Sequence, residues 1–255
     1  MDINLNADLG ESFGRYILGN DEALLKLVKS ASVACGFHAG DPKVMAKAVR
    51  LAVENGVSIG AHPSFDDLRG FGRRPIHMPA RDIENLIAYQ IGALQGIAAA
   101  AGARVTHVKP HGALNNMAHV DRGYAEAIAR AIKAVDRDLI FVANACSEMA
   151  SAGKRLGLRV AEEAYIDRTY DDDGKLTSRD RPDAIIHEQE RAINQVLSFL
   201  DAGGLVTRSG KQLRVQLHTF CAHGDDAASV ETVRAVRHAL EQRGVHIVPL
   251  PELRY

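Results

Sequence analysis

His107, Lys109 and His111 stand two residues apart in HVKPHGALNN (107–116), where an apolar run ends. Side chains alternate faces along a β-strand, so these three share one face, opposite Thr106, Val108 and Pro110. An imidazole with a near-neutral pKa can give or take a proton, and a lysine ammonium can hold a developing oxyanion or a phosphoryl group. Pro110 has no N–H and ends strand pairing, and Gly112 lets the chain turn away. Comparable groups recur after other apolar runs. Asn4, Asn6 and Asp8 share a face of the first run, and Glu11 follows. His38 follows the second run, His62 ends the third and Asn144 the fifth. Glu163, Asp167 and Arg168 follow the sixth, and His223 and Asp225 the seventh. One histidine near a strand end is commonly a satisfied structural group. Four of them, with a lysine and several carboxylates, are hard to explain as solvated surface. Acid–base chemistry is one use of such a set. Another is a divalent metal held by Asp8, His38, His62 and His223 with a position open for water, although no H-E-x-x-H is present. Cys35 and Cys221 read as small buried side chains.

The elements that carry these groups alternate strictly. The β-like runs are INLNAD, ASVACGF, VSIGAH, RVTHVKP, LIFVANA, LRVAEEA and LRVQLHTF, with a short VHIVPL last. Helical patterns lie between them near 21–30, 42–55, 80–101, 121–135, 147–156, 184–202 and 227–243. Such alternation predicts parallel strands with helices outside. Seven or eight units with no change of composition predict an α/β fold, a (β/α) barrel of about seven parallel strands in one domain, 1–255. Parallel strands would then bring the polar ends to one rim, where barrel enzymes carry their active sites. Asp41-Pro42, Asp121 and Asp226 suit helix N-caps.

Two polar segments could wall that rim. YIDRTYDDDGKLTSRDRPDAII (165–186) reads as a flap with a turn at Asp173-Gly174, able to bring Arg168, Arg179 and Arg181 onto a carboxylate. Thr169 at its first ligand position, with no closing Glu, excludes an EF-hand. HPSFDDLRGFGRR (62–74) could form the second wall. GFGRRP lacks the third glycine of a dinucleotide fingerprint, and GLVTRSGKQ has the wrong spacing for a Walker loop.

Composition narrows the classes. The net charge of −1, the lack of a basic run and the absence of Trp argue against nucleic-acid binding. The longest apolar stretch, LIAYQIGALQGIAAAAGA, is broken by Gln90 and Gln95, so no membrane span is expected. Three cysteines without C-x-x-C, and an N-terminus without a leader pattern, predict a cytoplasmic protein.

NADLGESFG, ASVACGFHAGDP, IGAHPSFDDLRGFGRR, VKPHGALNN, EAYIDRTYDDDGKL and CAHGD resemble, in order and spacing, the lactam-utilisation (LamB/YcsF-like) family. Its bacterial members are the A subunit of an ATP-dependent 5-oxoprolinase. The resemblance implies a barrel like those of glycoside hydrolases and polysaccharide deacetylases. It implies opening of 5-oxo-L-proline to L-glutamate, coupled to hydrolysis of ATP, with Mg²⁺ accompanying ATP, and partner subunits B and C. On that basis the catalytic candidates are Asp8, Glu11, His38, His62, Lys109, His111, Glu163, His223 and Asp225. The substrate-binding candidates are Asn6, Arg73, Asn116, Asp167, Arg168 and Arg179. Two rival readings use the same rim: a stand-alone metal-dependent deacetylase or amidohydrolase, and a non-catalytic barrel that binds a sugar or an acid.

Overall fold

A computed structural model of the chain describes residues 1–223 and 227–255. The chain opens with β1 (Asp2–Leu9), followed by a loop and the short α1 (Asp21–Leu24). β2 (Ser30–Ala34), α2 (Pro42–Glu54), β3 (Ser58–His62), α3 (Ala80–Ala100) and β4 (Val105–Val108) come next. Then follow α4 (Gly112–Val120), α5 (Arg122–Val135), β5 (Ile140–Asn144), α6 (Glu148–Arg155) and β6 (Val160–Tyr165). After α7 (Gln189–Ala202) the chain makes β7 (Gly204–Val206), β8 (Gln212–Arg214) and β9 (Thr219–Ala222). It ends with α8 (Ala227–Gln242) and β10 (His246–Ile247). Among the described residues β1, β2, β3, β4, β5, β6 and β9 form one parallel sheet, and β9 pairs with both β6 and β1, which closes it. This is the expected barrel of seven parallel strands.

Closure works because each strand has two buried faces of different kinds. In β1, Ile3, Leu5, Ala7 and Leu9 join the apolar layer under the helices, and Asn4 and Asn6 point into the barrel. A barrel interior is commonly filled by branched apolar side chains. Here small polar side chains fill much of it and satisfy one another. Asn4 Nδ2 donates to Ser30 Oγ at 2.9 Å, and Ser30 Oγ lies 2.7 Å from Ser58 Oγ. Thr219 Oγ1 donates to Asn4 Oδ1 at 2.7 Å, and Asn6 Nδ2 donates to Thr219 Oγ1 at 2.8 Å and to Glu163 Oε1 at 2.9 Å. These bonds tie β1 to β2, β6 and β9. They also offset the cost of burying polar groups.

Several elements differ from the expectation, each for a local reason. LRVQLHTF is not one strand: Gln212–Arg214 pairs antiparallel with β7, and only Thr219–Ala222 enters the barrel. The helix expected near 21–30 is a single turn, because Lys29 N–H already donates to Leu5 O at 2.9 Å as the chain enters β2. The helix expected from 184 starts at Gln189, since Ile186 N–H donates to Asp167 O and holds that stretch to the flap. Gly112 does not simply turn the chain but opens α4. It does so at φ +57°, and a Cβ there would stand 2.5 Å from Gly72 O, so only glycine lets α4 start against the 62–74 loop. Asp41 and Asp121 cap α2 and α5 as expected. The cap expected at Asp226 lies outside the described residues.

His107 shares the inward face of β4 but takes no part in the rim. It is fully buried, its Nδ1 lies 2.9 Å from Thr106 Oγ1, and burial foremost pushes its pKa down to about 3. Its ring fills the space left by Gly60, where a Cβ would come within 2.1 Å of it. Gly60→Ala should therefore overpack the interior and cost roughly 1–3 kcal/mol, measured by urea unfolding. A loss below about 0.5 kcal/mol would show that His107 has room to move.

Candidate active site

The end of β4 delivers Lys109 to the centre of the barrel, where it is 1% exposed. Its Nζ lies 3.0 Å from Asp8 Oδ1, 3.1 Å from Glu163 Oε1, 3.0 Å from Cys221 Sγ and 3.4 Å from Asn6 Oδ1. Burial alone would strip a lysine of its proton. Asp8 foremost, and Glu163 with it, outweigh burial and hold the ammonium well above its ordinary pKa. Burial pushes the Cys221 thiol up to about 11, so it stays protonated. Burial also works to raise Asp8, but His62 and Lys109 overcome it and keep its carboxyl well below the usual carboxylate range.

His62, at the end of β3, has its Nδ1–H donated to Lys109 O at 2.6 Å. Its Nε2 faces Asp8 Oδ2 at 3.3 Å and His111 Nδ1 at 3.0 Å. His111 donates Nε2–H to Phe71 O at 2.9 Å, a carbonyl aimed there by a left-handed backbone at Phe71, φ 53°. Carbonyls only accept, so both outer nitrogens must carry hydrogen. The two inner nitrogens then meet at 3.0 Å across one shared proton or another cation. His38 stacks on His111 at 3.8 Å and 10°, with Nε2 3.2 Å from Glu11 Oε1. Burial foremost pushes both His38 and His111 well below the usual histidine value.

On the other side of the floor, His223 Nδ1 lies 2.6 Å from Asp167 Oδ2. Its ring lies nearly parallel to Tyr165 at 5.7 Å, and its Nε2 is 3.9 Å from Asp8 Oδ2. Burial opposes its charge, but Asp167 above all overcomes it and raises this pKa well above normal. Burial thus favours neutral His38 and His111 on one side of the floor, and Asp167 favours an imidazolium at His223 on the other.

Above the floor lies a cavity of about 440 Å³. Asp8, His62, His111, Asn144, Tyr165 and His223 line its base, and Arg73, Asn115, Asn116 and His119 its wall. Arg168, Lys175, Thr177, Ser178 and Arg179 bring the flap to it. The flap turns at Asp173-Gly174 as expected: Asp171 N–H donates to Lys175 O at 2.8 Å and Gly174 N–H to Asp171 O at 2.9 Å. Arg168 also has a use inside the flap, since it donates to Ala184 O at 3.1 Å and to Thr177 O at 2.7 Å. It fixes the flap as well as facing the cavity.

The site candidates therefore occupy three levels. Asp8, His62, His111, His223, Arg73, Asn116, Arg168 and Arg179 reach the cavity. Lys109, Glu163 and Asn6 lie beneath its floor, and Glu11, His38 and Asp167 stand behind the histidines. Asp225 lies outside the described residues. Tyr165 is not among the candidates read from the sequence, although alternation along β6 puts it on the face of Glu163. The Phe71 carbonyl and the 62–74 backbone carry no signal in side-chain type. The metal set expected from the sequence is divided. Glu11, His38, His62 and His111 each place one ligand atom within 4.8 Å of the others, and Asp8, Cys221 and His223 form a second such group. An N/O donor set suits a transition ion. The parallel stacking of His38 on His111 keeps one ion from lying in the planes of both rings, so His62, His111 and a carboxylate are the subset that fits.

A closed parallel barrel with histidines and carboxylates gathered at the C-terminal ends of its strands makes this chain an α/β-barrel protein. A peptidoglycan N-acetylglucosamine deacetylase catalytic domain from Eubacterium rectale shares that fold, with TM-score 0.51 at 13% identity over 97% of this chain and 87% of that one. The chain belongs to the LamB/YcsF family, whose model matches residues 3–255. A lactam utilization protein from Thermus thermophilus has a crystal structure similar to it at TM-score 0.92 and 41% identity, covering 98% of this chain and 100% of that one. A protein of Azoarcus sp. that carries the name of the A subunit of 5-oxoprolinase is 51% identical over 253 residues, 99% of each chain.

Two outcomes follow from the charges. Lys109→Met leaves Asp8 beside Glu163 without the ammonium. Loss of one member of a buried ionic set costs roughly 3–5 kcal/mol at neutral pH. Folding then raises the Asp8 pKa instead of lowering it, so the deficit should shrink as pH falls into the carboxylate range. Chemical unfolding at pH 7 and pH 5 checks this, and a deficit that does not depend on pH would refute it. Asp167→Asn removes the group that most favours the His223 imidazolium. The His223 NMR titration, assigned with His223→Gln, should move to lower pH, and an unmoved titration would show that Asp167 does not set that charge.

Proposed function

We propose that this chain is the A subunit of an ATP-dependent 5-oxoprolinase. In a complex with partner subunits B and C it opens the lactam of 5-oxo-L-proline to L-glutamate while ATP is hydrolysed to ADP and phosphate. One observation carries the reading: Asp8 lines the cavity while Lys109 beneath and His62 beside it hold it ionised, next to a histidine pair whose inner ring nitrogens meet at 3.0 Å. The names of the relatives support it. The cytoplasm, where ATP and Mg²⁺ are plentiful, is the matching compartment. Among the described residues no helix is long and apolar enough to cross a membrane.

A five-membered lactam is a stable amide that water attacks slowly. Transfer of the ATP γ-phosphoryl to the amide oxygen makes the carbonyl carbon more electrophilic. One water adds there and the C–N bond breaks, with a proton going to the ring nitrogen. A second water releases phosphate from the acyl phosphate and leaves the free carboxylate. In this scheme Asp8, which lines the cavity, takes the proton of the attacking water, and Glu11 holds His38 and His111 from behind. The proton shared between His62 Nε2 and His111 Nδ1 goes to the departing nitrogen, a step worth typically about 10²–10⁴-fold. Lys109 acts from below by keeping Asp8 charged and fixed. The His223 imidazolium faces the negative charge that develops on the oxygen, and Arg73 and Arg179 face the substrate carboxylate.

The test is an ATP-dependent glutamate-release assay with and without B and C. The complex should turn over 5-oxoproline, and the single chain, which has no recognisable phosphate loop, should show little or none. Full ATP-coupled activity of the single chain would refute the division of labour. His111→Asn should lower turnover by on the order of 10²-fold with less change in KM. Arg179→Ala should chiefly raise KM for 5-oxoproline, by about tenfold or more. An unchanged KM would remove Arg179 from the substrate. The grouping of Glu11, His38, His62 and His111 favours a second reading, a stand-alone metal-dependent deacetylase or amidohydrolase. Stoichiometric transition metal in purified protein, with hydrolysis that needs no ATP, would decide for it.

A further inference from the structure

Asn144 closes β5 and has no role in the chemistry above. It lines the cavity, is 4% exposed, and its Oδ1 has no donor among the described residues. Its main chain is fixed, because its carbonyl accepts from Ser147 Oγ at 2.6 Å. Directly opposite in register on β6 is Glu163. Glu163 Oε1 takes bonds from Asn6 and Lys109, while Oε2, like Asn144 Oδ1, is buried with no donor. Two buried acceptors side by side are costly, and turning the Asn144 amide over resolves both: Nδ2 then donates to Glu163 Oε2 and Oδ1 turns towards the cavity as an acceptor for a ligand. The rest of the lining is mostly cationic, with Arg73, Arg168, Lys175 and Arg179 against one flap carboxylate, Asp180. The cavity thus offers cations from the flap and the 62–74 loop and an acceptor at the end of β5. It suits a small molecule with a carboxylate at one end and an N–H at the other.

We infer that Asn144, its amide oriented by Glu163 Oε2, accepts the ring N–H of the substrate and so selects a cyclic amide over the corresponding cyclic ester. The inference rests on the lactam reading above and adds the residue that reads the reacting nitrogen. β4 and β5 pair, so His111 after β4 and Asn144 at the end of β5 are neighbours on the rim. A ring nitrogen between them meets the proton source on one side and an acceptor for its own hydrogen on the other. A lactone presents a ring oxygen there, and two lone pairs would face each other. A site built around a substrate N–H rejects an analogue that lacks it because its own polar group is left unpaired.

The experiment uses the reconstituted complex and compares 5-oxo-L-proline with 5-oxotetrahydrofuran-2-carboxylate, its ring-oxygen analogue, as a competitive inhibitor. Wild type should bind the lactam at least about tenfold more tightly than the lactone. In Asn144→Leu the preference should collapse, through loss of lactam affinity with lactone inhibition unchanged or tighter. Asn144→Asp keeps an acceptor and should keep the preference. If Asn144→Leu does not assemble, Asn144→Ala is read in its place and should lose the preference likewise. A preference unchanged in the assembled Leu or Ala variant overturns the inference and leaves the lactam reading standing. A wild-type complex that releases no glutamate from 5-oxoproline overturns the reading and the inference together.

Discussion

The ammonium of Lys109 is the charge around which the barrel interior is arranged. A lysine enclosed at the centre of a domain keeps its proton only if anions stand close, and Asp8 and Glu163 do so at 3.0 and 3.1 Å. Those carboxylates in turn are held by neighbours, Glu163 through the same Oε1 that meets the ammonium and Asp8 through its other oxygen. Asn6 serves Glu163 at 2.9 Å, His62 serves Asp8 at 3.3 Å, and Thr219 and Asn4 support Asn6 from β9 and the strand start. The chain of requirements runs through β1, β3, β4, β6 and β9. The polar interior is therefore both the closure of the barrel and the support of the site.

The same arrangement spreads protonation unevenly over one small floor. Asp167 holds His223 charged, whereas His38 and His111, buried and stacked on each other, are kept neutral. Environments that push similar groups apart are what one fold needs to run acid and base steps at one pH. The backbone does much of this sorting. Lys109 O and Phe71 O each claim one N–H and so decide which nitrogens of His62 and His111 are left to act.

The strand ends are legible in the sequence because alternation and residue type agree there. Asp8, His62, Lys109 and His223 lie at or just past the ends of barrel strands and Glu163 lies within β6, and residue chemistry with a period of two suffices to place them. Tyr165 follows the same period, but its type suggests packing rather than a site. What is not legible depends on pairing partners that are distant in sequence. LRVQLHTF alternates well throughout, yet β7 captures its first part and only TFCA reaches β1 and β6. The metal-like grouping around Glu11 depends on the fold of the 62–74 loop, which sets the His111 ring through a main-chain carbonyl.

The 62–74 loop shows how closely the local backbone and the site are joined. Gly72 and Gly112 touch so tightly that a Cβ on Gly112 would meet Gly72 O at 2.5 Å, and Ala113 N–H donates to that same oxygen at 2.8 Å. This contact starts α4, and α4 carries Asn115, Asn116 and His119 to the cavity wall. One residue earlier, Phe71 takes a left-handed backbone to point its carbonyl at His111. Such a backbone is unfavourable for a phenylalanine and persists only where its surroundings over-determine it. Here they do: Phe71 N–H donates to Leu68 O, its ring meets those of His38 and His111 edge-on, and Arg73 lies over its face at 5.1 Å. The side chains on one side of the floor are thus oriented by a turn whose own conformation depends on packing against them, so the loop and the histidines order together.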